Sequence, residues 1–149
     1  MDPDPRDALP PQDGRTRETA IRRDARGRWW NGDDPITHVL LVRAFDAWID
    51  LAADGRYCLK NDINWAYVTI EGAPFFVRAC RLGPAGADLE LSDGRTERLE
   101  VATLRQGPDG VLYCRVKSGR FPARFDVHAA MQLGEALEDA PGGPALRIG

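Results

Sequence analysis

Histidine and cysteine are scarce in this chain of 149 residues: two histidines, His38 and His128, and three cysteines, Cys58, Cys80 and Cys114. The cysteines are widely separated, odd in number and never paired as C-x-x-C, which fits reduced, buried thiols better than a disulfide framework or a zinc site. With so few imidazoles and thiols the usual ligand sets cannot be assembled, so no metal and no other cofactor is expected. No apolar run approaches the ~18 residues that span a bilayer. The first residues also lack the apolar centre of a secretory signal, so the expected address is cytoplasmic, away from membranes. Positive charge is not in excess either. The formal net charge is −3 and the isoelectric point about 5.4, against the basic surface that a general nucleic-acid binder needs. A small local basic cleft remains compatible with those values. Catalytic motifs are missing as well: no G-x-S-x-G, P-loop, H-E-x-x-H or Cys–His pair at an interpretable spacing is present. An isolated histidine lacks the orienting partner that acid–base work requires. No catalytic residue is assigned, and the chain is read as a non-enzyme.

What is present is ordinary globular composition, 43% hydrophobic and 29% charged, long enough for one domain or two small ones. The chain is organised around Asn64 to Cys80, NWAYVTIEGAPFFVRAC. Side chains alternate along a strand, so Ala66, Val68 and Ile70 form a core face, opposite Trp65, Tyr67, Thr69 and Glu71. Glu71-Gly72-Ala73-Pro74 is a turn signal, and Phe75 to Leu82 resumes as a strand. The pattern predicts an antiparallel hairpin closed over that turn.

The preceding residues predict a disordered tail over 1–18, rich in proline and charge. A short strand from Ile21, a turn at Ala25-Arg26-Gly27 and the pair Trp29-Trp30 follow, and then the turn Asn31-Gly32. Asp33-Asp34 lacks calcium-loop spacing and reads as a solvated loop. A largely apolar helix is predicted over 38–52 with Thr37 as N-cap. On it Arg43 and Asp46 read as a surface pair, the alternative being that Arg43 faces a cleft. A strand at Tyr57–Lys60 leads into Lys60-Asn61-Asp62 and Asn64, either a self-capped turn or a binding loop held between strands. From Gly83-Pro84-Ala85-Gly86 onward the texture changes. Alternating residues around Leu89 and Leu91, the turn Asp93-Gly94, a return strand to Val101, the turn at Gly107–Gly110 and a strand from Val111 predict a meander. Asp126 is placed as N-cap of a last helix whose apolar face holds Val127, Ala130, Met131, Gly134 and Leu137. The reading is α+β: small antiparallel sheets, one helix after the first strands and one near the C-terminus. Its expected parts are 19–82 and 83–138, with a flexible tail over 139–149.

Three stretches, Ile21–Phe45, Asp54–Ala79 and Phe121–Leu137, together resemble a bacterial family, domain of unknown function 1285. Family members show D-G-x-W, then G-x-P-I, a helix like A-L-V-R-L-F, a strand pair around V-E-D-A-P-F and a C-terminal helix. Here G-x-W is Gly27-Arg28-Trp29, and the E-[DG]-A-P-F element is Glu71–Phe75. The chain departs from the pattern in its proline-rich start, and at Asn61-Asp62-Ile63-Asn64, where many members carry a T-P-V-E-like turn. The resemblance implies two α+β parts with a cleft between them, a nucleotide-type ligand and a signalling role. Arg43, Lys60 and Arg78 are then the expected cations, with Trp65 or Tyr67 as a stacking surface. Asn61, Asn64 and Glu71 complete the candidate binding residues, Glu71 either accepting a ligand bond or holding its own turn. The competing reading is a protein-interaction module, with a protein partner or a second copy meeting exposed Trp29, Trp30 or Trp65.

Overall fold

The computed structural model describes residues 17–134, 137–140 and 143–146. The tail expected over 1–18 lies, up to residue 16, outside the described residues. Arg17 and Glu18 do not behave as tail: the Arg17 carbonyl accepts the Tyr67 N–H at 2.9 Å, and Glu18 pairs with Arg56. The chain divides into two compact units between Gly72 and Ala73.

In the first unit β1 (Ile21–Arg23) and β2 (Trp29–Asn31) form an antiparallel pair, extended by β3 (Asp34–Pro35). The β1–β2 turn is built by Asp24, whose Oδ1 accepts the N–H groups of Arg26 and Arg28 at 2.9 and 3.0 Å. Helix α1 covers Val39–Trp48. Its N-cap is His38 rather than Thr37, with Nδ1 accepting the Leu40 N–H at 3.2 Å. The helix also ends earlier than its apolar run predicts. Ile49 leaves it to open β4 (Ile49–Leu51), which pairs with β5 (Tyr57–Lys60), Ile49 facing Leu59. Both residues are buried there, so pairing provides the burial that a longer helix would have sought. Next come β6 (Trp65–Tyr67) beside β5 and β7 (Thr69–Ile70) parallel to β1.

Phe45 on α1 packs edge-on against Trp29, centroids 5.3 Å apart, and against Trp48 at 5.9 Å. Into this cluster the fold buries a charge. Arg23 is fully buried, with Nη1 3.9 Å from Asp46 Oδ1, and the same oxygen accepts the Trp29 indole N–H at 2.9 Å. Asp46 therefore faces β1 and β2, and the surface pair expected with Arg43 does not form.

The turn at Glu71–Pro74 is present, with Gly72 at φ +73°, but it closes no hairpin. It hands the chain from the short β7 to β8 (Phe75–Gly83), which belongs to a different sheet. Turn residues fix a local reversal; which strands then pair is decided by distant burial, here Phe75 against Phe121 at 5.1 Å. This places the division of the chain ten residues before the one read from Gly83–Gly86.

The second unit is a six-stranded sheet in the order β10-β9-β8-β13-β12-β11. Its strands are β8, β9 (Gly86–Leu91), β10 (Thr96–Arg98), β11 (Arg105–Gln106), β12 (Leu112–Val116) and β13 (Phe121–Phe125), with a short 3-10 turn at Val101–Thr103. All neighbours are antiparallel except β8 and β13, which are parallel. An irregularity between Val77 and Ala79 shifts the β8 register, so that Cys80 joins Val77 in the core. Helix α2 (Val127–Gly134) follows. Asp126 caps it as predicted, its Oδ1 accepting the Ala129 N–H at 2.9 Å. The buried face, however, is Ala129 and Leu133, while Val127 and Met131 are 76% and 72% exposed. Fully burying Leu133 stabilises by about 1.5–3 kcal/mol, and residues four apart share one face, which fixes the rotation of the helix. Where a flexible tail is predicted from 139, the described residues include an antiparallel pair, β14 (Leu137–Ala140) and β15 (Gly143–Leu146). The architecture is α+β, as read from the sequence. No helix among the described residues is long and apolar enough to cross a membrane.

Candidate ligand-binding faces

The β5–β6 hairpin carries most of the candidate residues. Leu59 and Ala66 oppose each other on its core face, both with no exposure. Lys60 is paired directly with Trp65, so both side chains leave on one face of the hairpin, together with Tyr67. The two aromatic rings meet edge-to-face, 5.1 Å between centroids. Two arginines that sequence reading missed complete this face. Arg17 lies 4.1 Å from the Trp65 ring centroid and donates to the Trp65 carbonyl at 2.9 Å. Arg56 lies 3.7 Å from the Tyr67 centroid. The sequence holds no local signal for Arg17, 48 residues away from Trp65, and Arg56 reads only as a helix-to-strand connector.

Hydrogen bonds lock the arginines and aromatics in place. Arg56 donates to both Glu18 oxygens at 2.6 and 2.8 Å, and this holds the Glu18 carboxyl below its usual range while raising the guanidinium. The Tyr67 hydroxyl donates to Asp54 Oδ2 at 2.8 Å. That bond lowers Asp54, helped by the Arg56 N–H, and raises Tyr67. Lys60 is exposed and has no ion-pair partner among the described residues.

Between β5 and β6 the turn caps itself. Asn61 Oδ1 accepts the N–H groups of Ile63 and Asn64 at 2.9 and 2.8 Å, and Asn64 Oδ1 accepts that of Trp65 at 2.8 Å. Both amide oxygens thus shape the loop. Glu71 is exposed, and its backbone N–H donates to the Arg23 carbonyl at 2.9 Å. Arg43 is exposed on α1. Arg78 belongs to the second unit, where it lies 4.7 Å from the Phe76 centroid and 3.9 Å from Asp126. The expected exposed tryptophans are also redistributed. Trp29 is buried, and Trp30 is half-buried under Arg22 at 5.0 Å, with its indole N–H donating to Asp24 at 3.0 Å.

Two hollows lie elsewhere. One of about 340 Å³ in the first unit is lined by Trp30, Pro35, Ile36, Thr37 and Val42 among others. Another of about 650 Å³ in the second unit is lined by residues including Cys80, Arg81, Asp88, Glu97 and Gln132. Two of its ionic groups already serve the fold: Asp88 pairs with Arg98 at 2.9 Å, and Glu97 accepts the Lys117 N–H at 3.1 Å. The three thiols are buried, and burial pushes each upward, Cys114 to about 12. None is therefore an available thiolate near neutral pH.

No protein-family model matches this chain, and no curated protein matches it. Among solved structures, a DUF1285 family protein from Silicibacter pomeroyi matches with a TM-score of 0.66, covering 83% of this chain and 72% of that one at 18% identity. A second, from Shewanella baltica, matches with a TM-score of 0.62, covering 78% of this chain and 91% of that one at 15% identity. At such identities the likeness speaks for backbone architecture, and it coincides with the family suggested by the Gly27–Trp29 and Glu71–Phe75 elements. The chain has the α+β fold of the DUF1285 family proteins.

Proposed function

We propose that this chain is a non-catalytic binding module with a regulatory role, and that it takes a small nucleotide-type ligand on the outer face of the β5–β6 hairpin. The observation that carries this reading is the cross-strand pair Lys60–Trp65 beside Tyr67. It sets an exposed ammonium, with no ion-pair partner among the described residues, next to an aromatic edge-to-face pair that two arginines already hold. Phosphate would pair with Lys60, and a flat base would lie against the indole. Little ordering is needed on binding, because the rings and the Asn61–Asn64 loop are tied down beforehand. The raised thiols, and a His38 engaged as a helix cap, fit binding better than chemistry.

The test is a thermal-shift screen against mono-, di- and cyclic nucleotides. Ligand at 100 times its dissociation constant adds about 2.7 kcal/mol of stability. The expected result is a hit whose shift disappears in Lys60→Ala and in Trp65→Ala. A shift that survives both substitutions overturns the site. A flat panel at millimolar concentration overturns the ligand reading, and turns attention to protein partners at Val39 and Leu40, which are 61% and 38% exposed.

A further inference from the structure

The second unit carries a surface that the ligand reading does not use. One face of its sheet is core. On the other, Arg105 opposes Tyr113, Tyr113 opposes Arg124 and Arg124 opposes Phe76, a row across four strands that ends on a buried ring, Phe76 being 5% exposed. Directly opposed residues point the same way, and Arg115, two positions beyond Tyr113, shares that face, its guanidinium donating to the Gly119 and Arg120 carbonyls at 3.1 and 3.4 Å. Arg78 joins the row from above Phe76. Against these four arginines stand two carboxylates. Asp109 is 3.8 Å from Arg124 and Asp126 is 3.9 Å from Arg78, both beyond ordinary hydrogen-bond length. The Arg124 and Arg78 side chains stay 38% and 46% exposed despite these pairings. Arg105 is exposed and has no ion-pair partner among the described residues. Across β9 and β10 of the same sheet carboxylates predominate, Asp88, Glu90 and Glu97 against Arg98, with Asp88 held by Arg98. Among the described residues the positive excess is therefore local, on a chain whose net charge is −3.

An aromatic ring sits within this excess. Tyr113 lies between Arg105 and Arg124, its centroid 5.8 Å from the Arg105 guanidinium and its hydroxyl 3.5 Å from Arg124 Nη1. The ring rests against the backbone of the Gly107 turn so closely that a Cβ at Gly107 would stand 2.9 Å from it. Glycine there is what lets the ring lie down. Neighbouring strands are about 4.8 Å apart, so Arg105 and Arg124 flank the ring roughly 10 Å from each other.

We propose that this face binds single-stranded nucleic acid, with Arg105, Arg115 and Arg124 taking phosphates and Tyr113 serving as a stacking platform. An unpaired strand presents bases free to stack between its charges, which is what cations flanking a fixed ring accommodate. A duplex keeps its bases inside and is read by elements that project into a groove, which this face does not offer.

The test is fluorescence polarisation of a labelled uridylate dodecamer with the full chain over a salt series. Three neutralised phosphates on a single strand give a log–log salt slope of about −2. Arg105→Ala is expected to reduce that slope by about 0.7. Tyr113→Ala is expected to weaken binding about tenfold at unchanged slope. Lys60→Ala should leave oligonucleotide binding unchanged, which separates this site from the β5–β6 face. Arg105 is exposed, so Arg105→Ala should melt as the parent does. No binding at about 100 μM protein in low salt overturns the proposal. So does equal binding of a duplex of the same length, displacement by polyglutamate at matched charge, or a salt slope that the arginine substitutions leave in place.

Discussion

Arg23 is the residue on which the first unit depends most heavily. It is a fully buried cation, and its carboxylate partner comes from a helix that starts many residues later. Asp46 serves Arg23 and the Trp29 indole through the same oxygen, so removing it strips two buried donors at once. A buried charge that loses its partner typically destabilises by 3–5 kcal/mol. The 3.9 Å separation argues for the lower end, so Asp46→Ala is expected to lose about 3 kcal/mol in urea unfolding. Asp46→Asn keeps an acceptor for the indole but no charge, and should fall between parent and alanine variant. An alanine variant as stable as the parent would show that the cluster packs without needing the ion pair. Nothing local in the sequence announces this arrangement. Arg43 and Asp46 have the spacing of a helix-surface pair, and the competing partners are donors 17 and 23 positions upstream, visible only once β1 and β2 are folded against α1.

At the scale of elements, the residues that end or begin a helix matter more than its interior pattern. Thr37 is the better cap by residue type, yet His38 takes the position because its backbone is extended, at φ −64° and ψ 120°, with the ring turned back to the Leu40 N–H. His38→Ala should therefore destabilise by about 1 kcal/mol, and His38→Asn should restore the loss, since caps of that type are interchangeable. Guanidinium melts of the three proteins decide it; equal midpoints would mean that the exposed first turn frays without consequence. Strand pairing was less readable than helix ends. Of the core face Ala66, Val68 and Ile70 read from alternation, Ala66 and Val68 are buried and Ile70 is half-buried, and the turn that follows is real. Alternation says which way a side chain points, though, and nothing about which strand lies alongside. The parallel partners of β7 and β8 come from 47 residues before and 48 after, as Arg22↔Thr69 and Ala123↔Phe75.

For the whole molecule, the sequence was most legible where signals are local, namely the α+β class, the Asp93-Gly94 and Gly107–Gly110 turns, and the Asp126 cap. Of the binding face it showed the aromatics and Lys60, but not Arg17 and Arg56, which reach the rings by long-range packing. Those same contacts make the first unit sensitive to acid. Among the described residues the carboxyls held below their usual range all lie in the first unit. Glu18 is held there by Arg56 and Asp54 by Tyr67. In Asp24 burial works upward but is outweighed by the Arg28, Trp30 and Arg26 donors. A carboxyl depressed in the folded state adds stability that is complete above its unfolded value, 4.5 for Glu and 3.8 for Asp, and that disappears as pH falls through the lower folded value. As pH falls below about 4.5 the first unit should therefore loosen. Amide hydrogen exchange across that range, read by unit, should show protection at β1, β2 and β5 declining first. Simultaneous loss in both units would mean that these exposed pairs are too well screened by water to matter, as surface ion pairs often are. Loss at β8 and β13 first would place the acid-sensitive contacts in the second sheet instead.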